Sequence, residues 1–155
     1  MSYIDKNLIP GETILYRTKK HLIIFLVPVL WTIATLFCLV NSNPMANMLA
    51  IAPAFAALVT FGYYGLDYVT SEYALTNKRI MMREGFFFRH TNELRLITVS
   101  NITVNQSLIG QMLDYGSVII NPFGGQNDVF SLVAKAYEFQ KQTQIELDKA
   151  TSGMR

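Results

Sequence analysis

From residue 22 to residue 66 the chain runs without one Asp, Glu, Lys or Arg. A helix rises about 1.5 Å per residue, so about 20 apolar residues cross the hydrocarbon core of a bilayer. Two such lengths fit: residues 22–40 (LIIFLVPVLWTIATLFCLV) and 46–66 (ANMLAIAPAFAALVTFGYYGL), joined by the polar turn Asn41-Ser42-Asn43-Pro44. The pattern predicts a transmembrane helical hairpin. A soluble chain of 155 residues is too short to bury two charge-free helices of this length. Pro28 and Pro53 each remove a backbone donor and predict a bend. Trp31, near mid-depth, is expected to pack on another helix. Ala46, Ala50, Ala54 and Gly62 form a stripe of small residues along the second span, which lets helix backbones approach closely in lipid. Its plainer use is packing within the hairpin, and its sharper use is a contact between subunits.

Beyond the second span the pattern changes to period two. Residues 68–75, 79–84, 86–96 and 98–106 read as consecutive strands, with turns at Thr76-Asn77-Lys78 and Glu84-Gly85. Ile80 and Met82 alternate with Arg79, Met81 and Arg83, so one face of the sheet is expected to be buried and the other wet. Residues 107–115 (SLIGQMLDY) break the period as a helical turn, 117–121 and 128–132 return to strand, and 133–149 read as a helix. The inner face of that helix is expected to hold Val133, Ala136, Tyr137 and Gln140. Before the hairpin, residues 12–19 alternate as one more strand after the turn at Pro10-Gly11. The count is about seven strands and a C-terminal helix. The expected organisation is an N-terminal arm (1–21), the hairpin (22–66), a small domain (67–150) and a tail (151–155).

Charge orients this arrangement. Arg17, Lys19 and Lys20 precede the hairpin and Lys78, Arg79 and Arg83 follow it, whereas its turn carries none. Positive residues stay cytoplasmic, so both termini are expected inside. Residues 67–155 hold nine basic and nine acidic side chains. A neutral domain lacks the basic face that nucleic acid requires. The single cysteine, Cys38, lies inside the first span, which rules out an intrachain disulfide. A cleaved signal is not expected either, because the apolar run starts after twenty polar-rich residues and lacks a small-x-small site before Pro44.

The chemistry is sparse. His21 and His90 are the only histidines, and no nucleophile elbow, phosphate loop or dinucleotide fingerprint occurs, so no enzyme, metal or cofactor is expected. The best candidate surface is Lys78, Arg79, Arg83, Arg89, His90 and Arg95, interleaved with Phe86, Phe87 and Phe88. Basic side chains beside an anionic leaflet gain about 1 kcal/mol each, and aromatics can dip into the interface. The plainer reading makes the arginines solvated strand residues and the phenylalanines core.

Two blocks carry a resemblance: Tyr73-Ala74-Leu75-Thr76-Asn77-Lys78-Arg79-Ile80 followed by Gly85, and Gln106-Ser107-Leu108-Ile109-Gly110 followed by Leu113-Asp114-Tyr115-Gly116-Ser117-Val118. In this order, after a hairpin, they resemble the bacterial pleckstrin-homology-like family (bacterial PH domain, membrane-flanked domain). The resemblance implies an α+β membrane protein, with a small, partly open antiparallel β-barrel closed at one end by the C-terminal helix. It implies no catalytic residues. The expected function is a membrane-anchored, non-catalytic interaction or assembly module that binds a protein partner or itself as a homo-oligomer. The alternative is a module that senses anionic lipid headgroups through the basic hairpins.

Overall fold

The computed structural model describes residues 3–40, 44–86 and 90–152. By its internal contacts the chain forms two compact units: residues up to His21 together with those from Thr70 onward, and Leu22–Val69. The first unit begins with a short helix, α1 (Tyr3–Lys6), and the strand β1 (Ile14–Lys19).

The second unit is helical. A 3-10 turn, Leu22–Phe25, leads into α2 (Leu26–Val40); α3 (Pro44–Leu49) and α4 (Ile51–Thr70) follow. Both prolines act one turn upstream. Pro28 cannot donate to the Ile24 carbonyl, and that turn is 3-10; Pro53 cannot donate to the Leu49 carbonyl, and the helix is interrupted at Ala50. Leu22–Val40 and Asn47–Thr70 are long and apolar enough to cross a membrane, and only 11% of the most apolar stretch of each is buried. A core helix of a soluble protein would be covered, whereas these present their apolar side chains outward. The Phe25 ring lies 6.2 Å from Phe61 and 5.7 Å from Tyr68, so the start of the first helix meets the end of the second. Trp31, expected to pack on another helix, is exposed instead.

In the first unit β2 (Glu72–Thr76), β3 (Arg79–Glu84) and β4 (His90–Arg95) extend β1 into a four-stranded antiparallel sheet of order β1-β2-β3-β4. A second antiparallel sheet holds β5 (Val99–Asn105), β6 (Tyr115–Pro122) and β7 (Asp128–Ala134). An isolated bridge pairs Lys20, just past β1, with Val133 of β7. The short helix α5 (Leu108–Leu113) stands between β5 and β6, and α6 (Ala136–Ser152) ends the chain. Among the described residues this makes seven strands.

Tyr73, Leu75, Ile80 and Met82 of the first sheet meet Ile102, Val118, Ile120, Phe130 and Val133 of the second, with Ala136 and Phe139 of α6 in the same core. The opposite face of the first sheet is not wet as its alternation suggests. Ala74 and Met81 are buried there under Ile4 of α1, so the N-terminal arm covers a face that period two assigns to solvent.

Several boundaries differ from the sequence reading. Residues 68–70 continue α4 rather than open β2, because nothing between Leu66 and Thr70 breaks a helix. Val133 and Ala134 stay in β7 rather than open α6: the Thr18 hydroxyl donates to the Ala134 carbonyl at 2.6 Å, and Lys135 turns the chain at a φ of 51°. The inner face of α6 is therefore Ala136, Phe139 and Thr143, and Tyr137 points outward. The predicted strand 86–96 is ordered as β4 over His90–Arg95; residues 87–89 lie outside the described residues.

Candidate functional site

The turn between β2 and β3 builds the site from four successive residues, Thr76-Asn77-Lys78-Arg79. The Thr76 hydroxyl accepts from the Arg79 amide at 3.0 Å, which fixes the turn, and lies 2.7 Å from Glu12 Oε1 as a donor. Asn77 accepts from the Thr13 amide and donates to the Gly11 carbonyl, at 3.1 and 3.2 Å. Lys78 Nζ donates to the Pro10 carbonyl at 3.2 Å. Arg79 donates from Nε and Nη2 to the two Glu12 oxygens, each at 2.9 Å, and from Nη2 to the Asn7 carbonyl at 2.6 Å. Its Nη1 also pairs with Glu93 on β4. Every residue of this turn holds the segment that precedes β1.

Glu12 has no exposed side-chain surface. Burial by itself would raise its pKa, but hydrogen bonds from Arg79, the Ile9 amide and Thr76, with the Arg79 charge, hold it down at about 2. The same hydrogen bond to Glu12 raises Arg79 above its ordinary value against the opposing effect of burial. This is a buried, bidentate, charge-assisted pair. Nothing in the sequence announces it, because its partners stand 67 residues apart on either side of the apolar stretch.

The predicted basic surface is thus divided. Arg79 is committed to Glu12 and Glu93, and Lys78 to Pro10. Arg83 lies with its guanidinium carbon 4.5 Å over the Tyr3 ring, a second tie to the arm. Arg95 is exposed beside Arg79 across the β3–β4 pair. Ile9, Lys78, Arg79, Glu93 and Arg95 line a groove of about 490 Å³. Arg89 and the His90 side chain lie outside the described residues, as do Phe87 and Phe88; Phe86 is exposed. Among the described residues, no three His, Cys, Asp or Glu come together as a metal site would need.

The second sequence block also proves architectural. Ser107 caps α5 by accepting from the Gly110 amide at 3.1 Å, and the Gln106 side chain donates to the Tyr115 carbonyl at 3.2 Å. A Cβ on Gly110 would stand 2.6 Å from that carbonyl oxygen, and one on Gly116 would stand 2.6 Å from Gln106 Cγ and 3.0 Å from the Asn105 carbonyl oxygen. Only glycine fits at either place. Asp114 ends the helix in the left-handed region at a φ of 57°.

In the helical unit the small-residue stripe splits. Ala50 is buried, together with Ala57, whereas Ala54 and Gly62 are exposed. A Cβ on Gly62 would meet nothing within 4 Å. The side chain of Ala46 lies outside the described residues.

A family model described as "Bacterial PH domain" matches residues 21–147. No curated protein and no solved structure matches the chain.

Proposed function

The chain belongs to the bacterial PH domain family, and on that premise we propose a membrane-anchored, non-catalytic interaction module. It binds a protein partner or a second copy of itself at the cytoplasmic face of the inner membrane. Its two sheets make a partly open antiparallel barrel with α6 at one end, and the apolar stretch 22–66 is a helical hairpin between the arm 1–21 and the domain 67–150, with 151–155 as a tail. One observation carries the anchoring. Lys19, just before the apolar stretch, is the antiparallel partner of Glu72, just after it. A chain that leaves one strand and returns to its neighbour in the same sheet crosses a bilayer an even number of times. Two spans satisfy that condition, and the basic flanks favour the cytoplasm for the sheet.

A cysteine at Ser42 of a Cys38→Ala variant should react in whole cells with an impermeant thiol reagent, and one at the exposed Ser131 should react only after lysis. Labelling at Ser131 in intact cells would invert the orientation.

The binding reading is supported by the way the arm takes up Arg79 and Lys78, since a lipid headgroup would have to compete with Glu12 for that guanidinium. The alternative, anionic-lipid sensing, draws on the exposed Arg95 and the groove beside it. For self-assembly, Ala54 and Gly62 are the residues of the stripe left uncovered on α4. Ala54→Leu with Gly62→Leu should lower the mass of the protein in mild detergent by light scattering, while Ala50→Leu, at a buried position, should perturb the hairpin itself. Wild-type protein that is already monomeric would leave a different protein as the partner.

A further inference from the structure

The short helix α5 is built with care and yet contributes almost nothing to the core. Of its six residues, Leu108, Ile109, Met112 and Leu113 are apolar and 46% to 86% exposed, and only Gly110 is buried. The cap from Ser107, the two glycines that admit no Cβ and the left-handed stop at Asp114 hold those four side chains outward in one conformation. A segment locked into presenting apolar surface to water implies something that covers it.

Its place in the fold says what does. Tyr115, two residues past the helix, stacks on His21 with ring centroids 5.1 Å apart. The His21 amide donates to the Leu132 carbonyl at 2.6 Å, so His21 is fixed to the second sheet. The next residue, Leu22, opens the apolar stretch. Thus α5 sits where the chain leaves this unit for the lipid. Exposed Lys19 stands two residues before His21, and the amide of exposed Lys135 donates to the carbonyl of exposed Asp114 at 2.8 Å. Apolar side chains with lysines at the margin suit the boundary between headgroups and acyl chains.

We propose that α5 lies in the bilayer interface, its Leu108, Ile109 and Met112 side chains immersed beside the point where the hairpin enters. The proposal rests on the reading of the hairpin as membrane-spanning. Lys19 and Glu72, which precede and follow the hairpin, are paired neighbours in one sheet, so the chain leaves and re-enters this unit side by side. A third contact at α5 sets the tilt of the domain on the membrane, and so decides which of its faces a partner meets.

The far end of β6 provides an internal control. That strand spans eight residues from Tyr115 to Pro122, about 26 Å at about 3.3 Å per residue. Phe123 is exposed and apolar like α5, but lies past the end of the strand opposite Tyr115. The full chain, as Cys38→Ala with one further cysteine at Met112, Phe123 or Leu30, is labelled with bimane. It is then reconstituted in phosphatidylcholine–phosphatidylglycerol vesicles whose acyl chains carry a nitroxide near the headgroup or, for the Leu30 probe, at mid-chain. Quenching at Met112 should be several-fold stronger than at Phe123, and Ile109→Glu should reduce it to the Phe123 level. Quenching at Leu30 with none at Met112 overturns the proposal and leaves the hairpin standing. A blue-shifted but unquenched Met112 probe also overturns it, since protein rather than lipid then covers the face. Absence of quenching at Leu30 overturns the hairpin reading and this proposal together.

Discussion

Glu12→Ala should destabilise the domain by about 3–5 kcal/mol, the range for removing one partner of a buried ion pair. The alanine leaves Arg79, itself mostly buried, without its bidentate acceptor, held only by Glu93 and the Asn7 carbonyl. At about 4–8 °C per kcal/mol for a domain of this size, the midpoint of thermal unfolding in detergent should fall by 12 °C or more. Replacing both members, Glu12→Ala with Arg79→Met, should recover part of the loss, because the buried guanidinium short of an acceptor is gone. A double variant as unstable as the sum of the singles would mean that the two side chains do not act as a pair. The acid limb tests the same contact. The folded-state pKa of Glu12, about 2, lies below its ordinary 4.5. Its contribution is therefore fully present above pH 4.5 and lost as pH falls toward 2, a total of about 3 kcal/mol at 1.36 kcal/mol per unit. Glu12→Gln should flatten the fall of stability across that window, and an unchanged slope would assign the acid limb to other carboxylates.

Phe139→Ala should cost about 3–5 kcal/mol, the range for removing a buried phenyl ring. Phe139 is fully buried, its ring centroid 6.1 Å from that of Tyr16 on β1, and it anchors α6 against both sheets. The Gln140 amide, donating to the Ile102 carbonyl at 2.9 Å, is a second tie that cannot fill the vacated volume. Tyr137→Ala, two residues away on the outward face, should change stability by less than about 0.5 kcal/mol. Denaturant unfolding of the detergent-solubilised chain measures both. Equal effects at the two positions would mean that α6 does not pack by the face described here.

Much of this protein is written in local pattern. A charge-free run of apolar residues needs only its length to be read as two helices able to span a bilayer. The alternation of Arg79-Ile80-Met81-Met82-Arg83 is enough to place β3 from Arg79 to Glu84. Such signals depend on residues two to four positions apart, which the backbone geometry of strand and helix brings onto one face. The two blocks that carry the family resemblance were legible too, but not their purpose. Thr76-Asn77-Lys78-Arg79 looks like part of a basic surface until the fold carries residues 7–13 across β2 and β3 and hands Arg79 to Glu12. Met81 alternates as a solvent-facing residue and is buried, because Ile4 arrives from the other side of the apolar stretch. Val133 follows helical spacing and stays in a strand, because Lys20 pairs with it. In each case the deciding neighbour is far away in the chain, and its arrival depends on how the sheets close. Sequence alone determined which segments are apolar, which alternate and where the turns fall. Tertiary structure decided which charges are spent inside the domain and which apolar side chains, those of α5 above all, are left to meet something else.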